Sequence, residues 1–176
     1  MKSQSMESHR KKVPNKIKCG VITLSDSKFH DYQTSGKTTS DLSGNLLVEN
    51  LESKYGMVAY SIIPDDAEKL LDTVEEMIDH ENTDIIITTG GTGIGSRVIT
   101  VETFKEIFEK ELDGFGEIFR AKSYKELGAG AILSRATAGV YKKSIIIAMP
   151  GSPNAVQLGL DIIFNELGHL ARHLKE

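Results

Sequence analysis

The chain has 176 residues, 39% hydrophobic and 26% charged, which is enough to bury one core and short for two full domains. Its single cysteine, Cys19, excludes an internal disulfide and a cysteine-based zinc cluster, fits a reducing compartment and makes the cytoplasm the expected location. The formal charge of −4 divides into about +4 over residues 1–16 and about −8 over the rest; an acidic body argues against nucleic-acid binding, and no apolar run is long enough to span a membrane.

Residues 1–16 are polar and basic, without the apolar stretch of a signal peptide, and read as a flexible arm ahead of a single domain over 17–176. Ile17 to Leu24 then reads as a strand. Thr39 to Lys54 reads as a helix with Leu42, Leu46, Leu47 and Leu51 on one side and Gly56 as its stop. Met57 to Ile63 is a second strand. Pro64-Asp65-Asp66 breaks it and starts a helix whose Leu70, Leu71, Val74, Met77 and Ile78 recur at helical spacing up to Asn82.

Asp84 to Thr89 is a β-branched strand without alternation, as expected where both faces are covered. Thr100 to Glu109 and Phe115 to Leu127 read as helices, and Gly128 to Gly139 is a small-residue stretch with no assigned structure. Ile145 to Met149 is a fourth buried strand, and a last amphipathic helix carries Val156, Leu158, Leu160, Ile163, Leu167 and Leu170. Strands alternating with helices predict an α/β fold, Rossmann-like, with a mostly parallel central sheet.

Ligands of such sheets bind beyond the carboxyl ends of the strands, which directs attention to four loops. These are Leu24-Ser25-Asp26-Ser27, Pro64-Asp65-Asp66, Thr88-Thr89-Gly90-Gly91-Thr92-Gly93 and Met149-Pro150-Gly151-Ser152-Pro153. Glycines let a backbone turn several N–H groups toward one oxygen-rich group, and threonine and serine add hydroxyl donors. A Gly-Gly-Thr-Gly turn serves a plain tight turn as readily as an anion site; it is neither a Walker loop nor a dinucleotide fingerprint. The Pro-Gly-Ser-Pro loop opens a helix, where free N–H groups favour an anion, and is also an ordinary turn sequence.

Asp26, Asp65 and Asp66 would hold Mg²⁺ in a phosphate site; for Asp65 and Asp66, helix capping is the competing role. Arg97 and Arg135 are the cations for phosphate oxygens, or simply surface arginines. His30, His80, His169 and His173 lack a paired nucleophile or metal spacing and read as structural, and Cys19 reads as core.

Several pieces stand in one register. They are Thr88 to Gly93, then Arg97, Thr100 and Glu102, then Gly114-Phe115-Gly116-Glu117, Leu133-Ser134-Arg135 and Met149 to Pro153. Together with Ser25-Asp26 and Asp41-Leu42-Ser43-Gly44, these resemble the MoaB/MogA family of molybdenum cofactor biosynthesis proteins over roughly residues 17 to 170. The resemblance implies a three-layer αβα fold, a homo-oligomer (trimer or hexamer), molybdopterin and ATP as substrates with Mg²⁺, and adenylylation of molybdopterin with release of pyrophosphate. Other proteins of that cofactor pathway are the implied partners.

Carried over, Asp65, Arg97 and Glu102 would be catalytic, and Asp65 and Asp66 would hold the metal. Ser25, Asp26, Thr89, Gly90, Gly91, Thr92, Gly93, Thr100, Arg135, Pro150, Gly151, Ser152 and Pro153 would bind pterin and nucleotide. One position departs from the family pattern. Members usually read Arg-Asp-Val-Thr-Pro-Glu after the glycine loop, whereas this chain reads Arg97-Val98-Ile99-Thr100-Val101-Glu102. Either Asp66, Asp26 or Glu102 supplies the missing carboxylate, or the chain is a non-catalytic molybdopterin-binding paralogue.

Overall fold

The computed structural model describes residues 17–176, so the expected basic arm lies outside the described residues. Strands β1 (Cys19–Leu24), β2 (Val58–Ile63), β3 (Ile85–Thr89), β4 (Lys110–Glu111), β5 (Thr137–Tyr141) and β6 (Ser144–Met149) form one sheet in the order β2-β1-β3-β6-β5-β4. The first four strands in that order are parallel; β5 and β4 extend the β6 edge antiparallel.

Helices cover both faces. They are α1 (Asp26–Ser35), α2 (Leu42–Tyr55), α3 (Ala67–Asp79), α4 (Thr100–Ile107), α5 (Asp113–Leu127), α6 (Pro153–Ile163) and α7 (Leu167–His173), with a 3₁₀ turn at Gly128–Leu133. The alternation of side chains along a strand divides each isoleucine run between two cores. Ile85, Ile87, Ile145 and Ile147 pack with Leu47, Leu51, Phe115, Phe119, Val156 and Leu167, while Ile86 and Ile146 pack with Leu70, Val74, Met77 and Phe104. Each such fully buried side chain contributes about 1.5–3 kcal/mol. Cys19 sits in the first core, where burial lifts its thiol pKa to about 12 and leaves it a protonated packing group at neutral pH.

The register levels the parallel strands. Thr89 stands opposite Thr23 on one side and Met149 on the other, and Ile63 stands opposite Leu24, so the loops after β1, β2, β3 and β6 leave the sheet together.

The α/β architecture is as expected, and five local readings change. The stretch after β1, read only as a loop, is helix α1: Ser25 caps it through Lys28 N, and Gly36 closes it at φ +67°. It buries no residue, so no apolar stripe announces it. The helix expected from Thr39 starts at Leu42, because Asp41 is its cap. The helix expected to reach Glu109 stops at Ile107, and the chain turns into β4, held by Glu109 N to Val140 O at 2.9 Å. The unassigned Gly128 to Gly139 stretch is the 3₁₀ turn followed by β5, whose Gly139 leaves room for the ring of Phe108. The single C-terminal helix is two, α6 and α7, separated by Phe164-Asn165-Glu166. His169 and His173, on α7, approach each other at 3.2 Å between ring nitrogens.

Candidate functional site

The glycine loop is built by close approach. Gly90 has φ +97° and donates to Met149 O at 3.1 Å; a Cβ there would overlap Leu24 O. Gly91 has φ +62°, and a Cβ there would overlap Thr100 Oγ1. Thr100, at the start of α4, clamps the loop from below: its hydroxyl donates to Gly90 O at 3.1 Å and its N–H to Gly91 O at 2.9 Å. The backbone N–H groups of Gly91, Thr92 and Gly93 make no hydrogen bond among the described residues. Successive unpaired N–H groups in a glycine turn suit an anion, as in a backbone nest.

The loop after β6 lies alongside. Thr89 Oγ1 donates to Pro150 O at 3.2 Å and Ser43 Oγ donates to Gly151 O at 2.8 Å, which ties it to β3 and to α2. Gly151 lies against Gly90, where even one added methyl would press on the Gly90 backbone. Ser152 caps α6 through Ala155 N, and Pro153 takes the first turn, where its missing N–H costs nothing.

At the mouth of the glycine loop, two carboxylates face each other across 39 positions of sequence. Asp65 N donates to Asp26 Oδ1 at 3.1 Å and Asp26 N donates to Asp65 Oδ2 at 3.4 Å, so each backbone holds the other side chain. Asp65 Oδ1 lies close to Gly91. Arg97 Nη2 pairs with Asp26 Oδ2 at 2.8 Å from a largely exposed position, which leaves it free to change partners.

The other sequence candidates are engaged differently. Asp66 is the cap of α3, accepting from Lys69 N at 2.8 Å, so capping is its role in this structure. Glu102 pairs with Arg135, whose Nη1 also donates to Gly93 O at 2.7 Å. That hydrogen bond to Arg135 holds the Glu102 carboxyl below the usual range. The pair braces the far end of the loop. Val98 packs against Gly93 and Gly95, its N–H donating to Gly95 O at 3.0 Å, and offers no ligand atom. Among the described residues no group of three or more His, Cys, Asp or Glu side chains is placed to hold a metal ion.

Two hollows flank the Pro150 to Pro153 loop. One, of 240 Å³, runs from Gly90 and Gly151 to Thr23 and Asp41; the other, of 300 Å³, lies between Pro150, Ser152, Asn154, Leu133 and Phe119. A larger hollow of 590 Å³, around Asp84, Ser144 and Lys175, opens at the opposite, amino-terminal edge of the sheet and receives none of the four loops. Residue reading missed the Asp41 wall of the first hollow. Its sequence signal was Asp41-Leu42-Ser43-Gly44, which entered the reading through the family resemblance alone.

Residues 20–169 match the family described as the probable molybdopterin binding domain. The chain belongs to the MoaB/MogA family. It is 48% identical to the probable molybdopterin adenylyltransferase of Methanocaldococcus jannaschii, over 94% of this chain and 98% of that protein. It is 42% identical to the molybdopterin adenylyltransferase of Pyrococcus furiosus, over 97% of this chain and 99% of the relative. The crystal structure of the tungsten cofactor synthesizing protein MoaB from Pyrococcus furiosus superposes with a TM-score of 0.80 at 44% identity, covering 93% of this chain and 99% of the other. Among the described residues of this family member, no helix is long and apolar enough to cross a membrane.

Proposed function

We propose that this protein adenylylates molybdopterin with Mg-ATP in the cytoplasm. The carrying observation is the pair Asp26 and Asp65, set against the unpaired N–H groups of Gly91 to Gly93 at the edge where four parallel strands end. Acids beside an anion nest suit a phosphate that arrives with a divalent cation. The reaction forms a bond between the terminal phosphate oxygen of molybdopterin and the α-phosphorus of ATP, breaks the bond to the bridging oxygen, and releases pyrophosphate.

The chain's work in such a transfer is alignment and charge compensation. The nest would orient phosphate oxygens through the unpaired backbone N–H groups of Gly91 to Gly93. Thr100 keeps the nest in shape through Gly90 and Gly91, and the Arg135–Glu102 pair fixes its far end at Gly93. Arg97 is the mobile cation: released from Asp26, it reaches phosphate oxygens. Asp65 and Asp26 would hold Mg²⁺, which neutralises phosphate charge when bound; two carboxylates suit an ion that keeps its remaining positions for water and substrate oxygens. Asp26 thereby takes the place of the carboxylate missing at Val98, since Asp66 and Glu102 are committed elsewhere. The hollows on either side of Pro150 to Pro153 suit a ligand with two parts, the nucleotide and the pterin.

Incubating the protein with molybdopterin, ATP and Mg²⁺ is expected to yield adenylylated pterin and pyrophosphate. Absence of product above a no-enzyme control would leave the second reading, a molybdopterin-binding protein without turnover, which Val98 favours. A homo-oligomer, trimer or hexamer, belongs to the same proposal: Tyr124, Leu127, Ile132 and Leu133 expose large apolar side chains along the end of α5 and the 3₁₀ turn. A light-scattering mass of one chain would refute it.

A further inference from the structure

The two histidines of α7 read as structural in the sequence, yet the helix brings them together. His169 and His173 are four residues apart, so both rings leave the same face one turn apart. Their Nε2 atoms lie 3.2 Å apart, with ring centroids separated by 4.4 Å and planes at 78°. Two imidazoles on one tetrahedral ion, each about 2.0–2.1 Å from it, hold their nitrogens about 3.3 Å apart. The protein already has that spacing. A proton shared between the rings gives a similar distance, so the outer nitrogens have to distinguish the two cases. His173 Nδ1 lies 3.3 Å from Glu176 Oε2, and Glu176 is itself held by Arg172 Nε at 3.0 Å. A carboxylate in that place keeps the proton on Nδ1 and leaves Nε2 a lone pair to give, the arrangement that orients metal-binding histidines. His169 Nδ1 is buried without a hydrogen-bond partner among the described residues. It is unpaired in either tautomer, so moving the ring proton onto it to free Nε2 adds no new unpaired group.

We infer that His169 and His173 form a binding site for one borderline divalent ion, Zn²⁺ or Cu²⁺. The inference stands independently of the adenylyl-transfer reading. Imidazole nitrogens suit these ions, whereas Mg²⁺ takes oxygen ligands. The His173 side chain is 55% exposed, so an ion reaches the pair from solvent. Among the described residues no group of three or more His, Cys, Asp or Glu side chains is placed to hold a metal ion, so water or an incoming donor fills the remaining positions and the ion is exchangeable. Leu170-Ala171-Arg172, between the two histidines, lacks the glutamate that the zinc-protease pattern sets beside its first histidine, so the site binds without hydrolytic chemistry. Its place is remote from the glycine loop. Lys175 Nζ ties the end of α7 to Asp84 Oδ1 at 2.8 Å, at the entrance to β3, while Gly90 to Gly93 follow the other end of that strand. An ion held by both rings bridges one turn of α7 and stabilises that last helix against unfolding.

The test is calorimetry on the intact, untagged protein at neutral pH with zinc chloride, alone and in excess magnesium chloride. Zn²⁺ is expected to bind at one ion per chain, and Mg²⁺ not to displace it. His173→Gln, at an exposed position, is expected to keep the metal-free melting temperature and to weaken Zn²⁺ by about ten-fold or more; Glu176→Gln, which removes only the carboxylate behind the ring, is expected to weaken it by about ten-fold. Cu²⁺ in place of Zn²⁺ should show coupling to two ring nitrogens in its electron paramagnetic resonance spectrum, a readout that requires no variant to fold. Wild-type protein that binds no Zn²⁺ would overturn the inference and leave the contact a hydrogen bond between two rings. So would Zn²⁺ affinity that His173→Gln leaves unchanged, or a Cu²⁺ spectrum without ring nitrogens, since either would put the ion elsewhere.

Discussion

The parallel and antiparallel halves of the sheet divide the labour of this molecule. Strands β2, β1, β3 and β6 all end at one edge, and the chain that follows them supplies Asp65, Asp26, Gly90 to Gly93 and Pro150 to Pro153. The hairpin of β5 and β6 turns at Lys142 and Lys143, both at positive φ, on the opposite edge, and brings no loop to the site. Its contribution is indirect: the segment entering β5 carries Arg135, which braces Gly93. Each parallel crossover returns the chain to the same edge, so loops accumulate there; an antiparallel turn spends its loop at the other end. Chemistry should therefore be sensitive in one half and stability alone in the other.

The largest expected effect is at Asp65. Asp65→Asn should lower the adenylylation rate by about 10²–10³-fold with little change in melting temperature, since it removes charge where charge is neutralised. An Asp65→Asn enzyme with wild-type turnover would break the comparison at its strongest point. Asp26→Asn should cost about 10²-fold, and adding Val98→Asp to that variant should restore part of the loss. If Val98→Asp restored nothing and Asp26→Asn were silent, Asp26 would not be the second carboxylate.

Two glycines sharpen the comparison. Gly90→Ala collides with Leu24 O at a positive φ and should cost more than about 2 kcal/mol in urea unfolding and abolish nucleotide binding. Gly139→Ala, in β5, meets the Phe108 ring and should cost about 1–3 kcal/mol with nucleotide affinity unchanged in the folded fraction.

The smallest effect is at Glu102, whose partner Arg135 depresses its folded pKa. That pairing stabilises the fold above the unfolded carboxylate pKa and is lost as the pH falls through the lowered folded value. Because Glu102 is 55% exposed, Glu102→Gln should cost about 0–1 kcal/mol at neutral pH, and nothing once both states are protonated. Melting curves from neutral to acid pH measure it.

Legibility in the sequence followed how local the signal was. β3 and β6 were plain because a strand buried on both faces must be a continuous apolar run, and Ile85-Ile86-Ile87 and Ile145-Ile146-Ile147 are such runs. α1 was not, because it floats on the surface and only its Ser25 and Gly36 caps mark it. β4 has two residues and β5 contains Gly139; both are strands because of the partner they meet, not because of their own propensity.

The glycine loops, the α/β class and the family were settled by neighbouring residues, whose order alone dictates turn, strand and helix. Only the tertiary structure decided which acids meet. Asp26 and Asp65 lie 39 positions apart and meet because β1 and β2 are adjacent with their ends level. Asp66, next in sequence to Asp65, turns away to cap α3, whose free first-turn N–H groups it meets at Lys69 N.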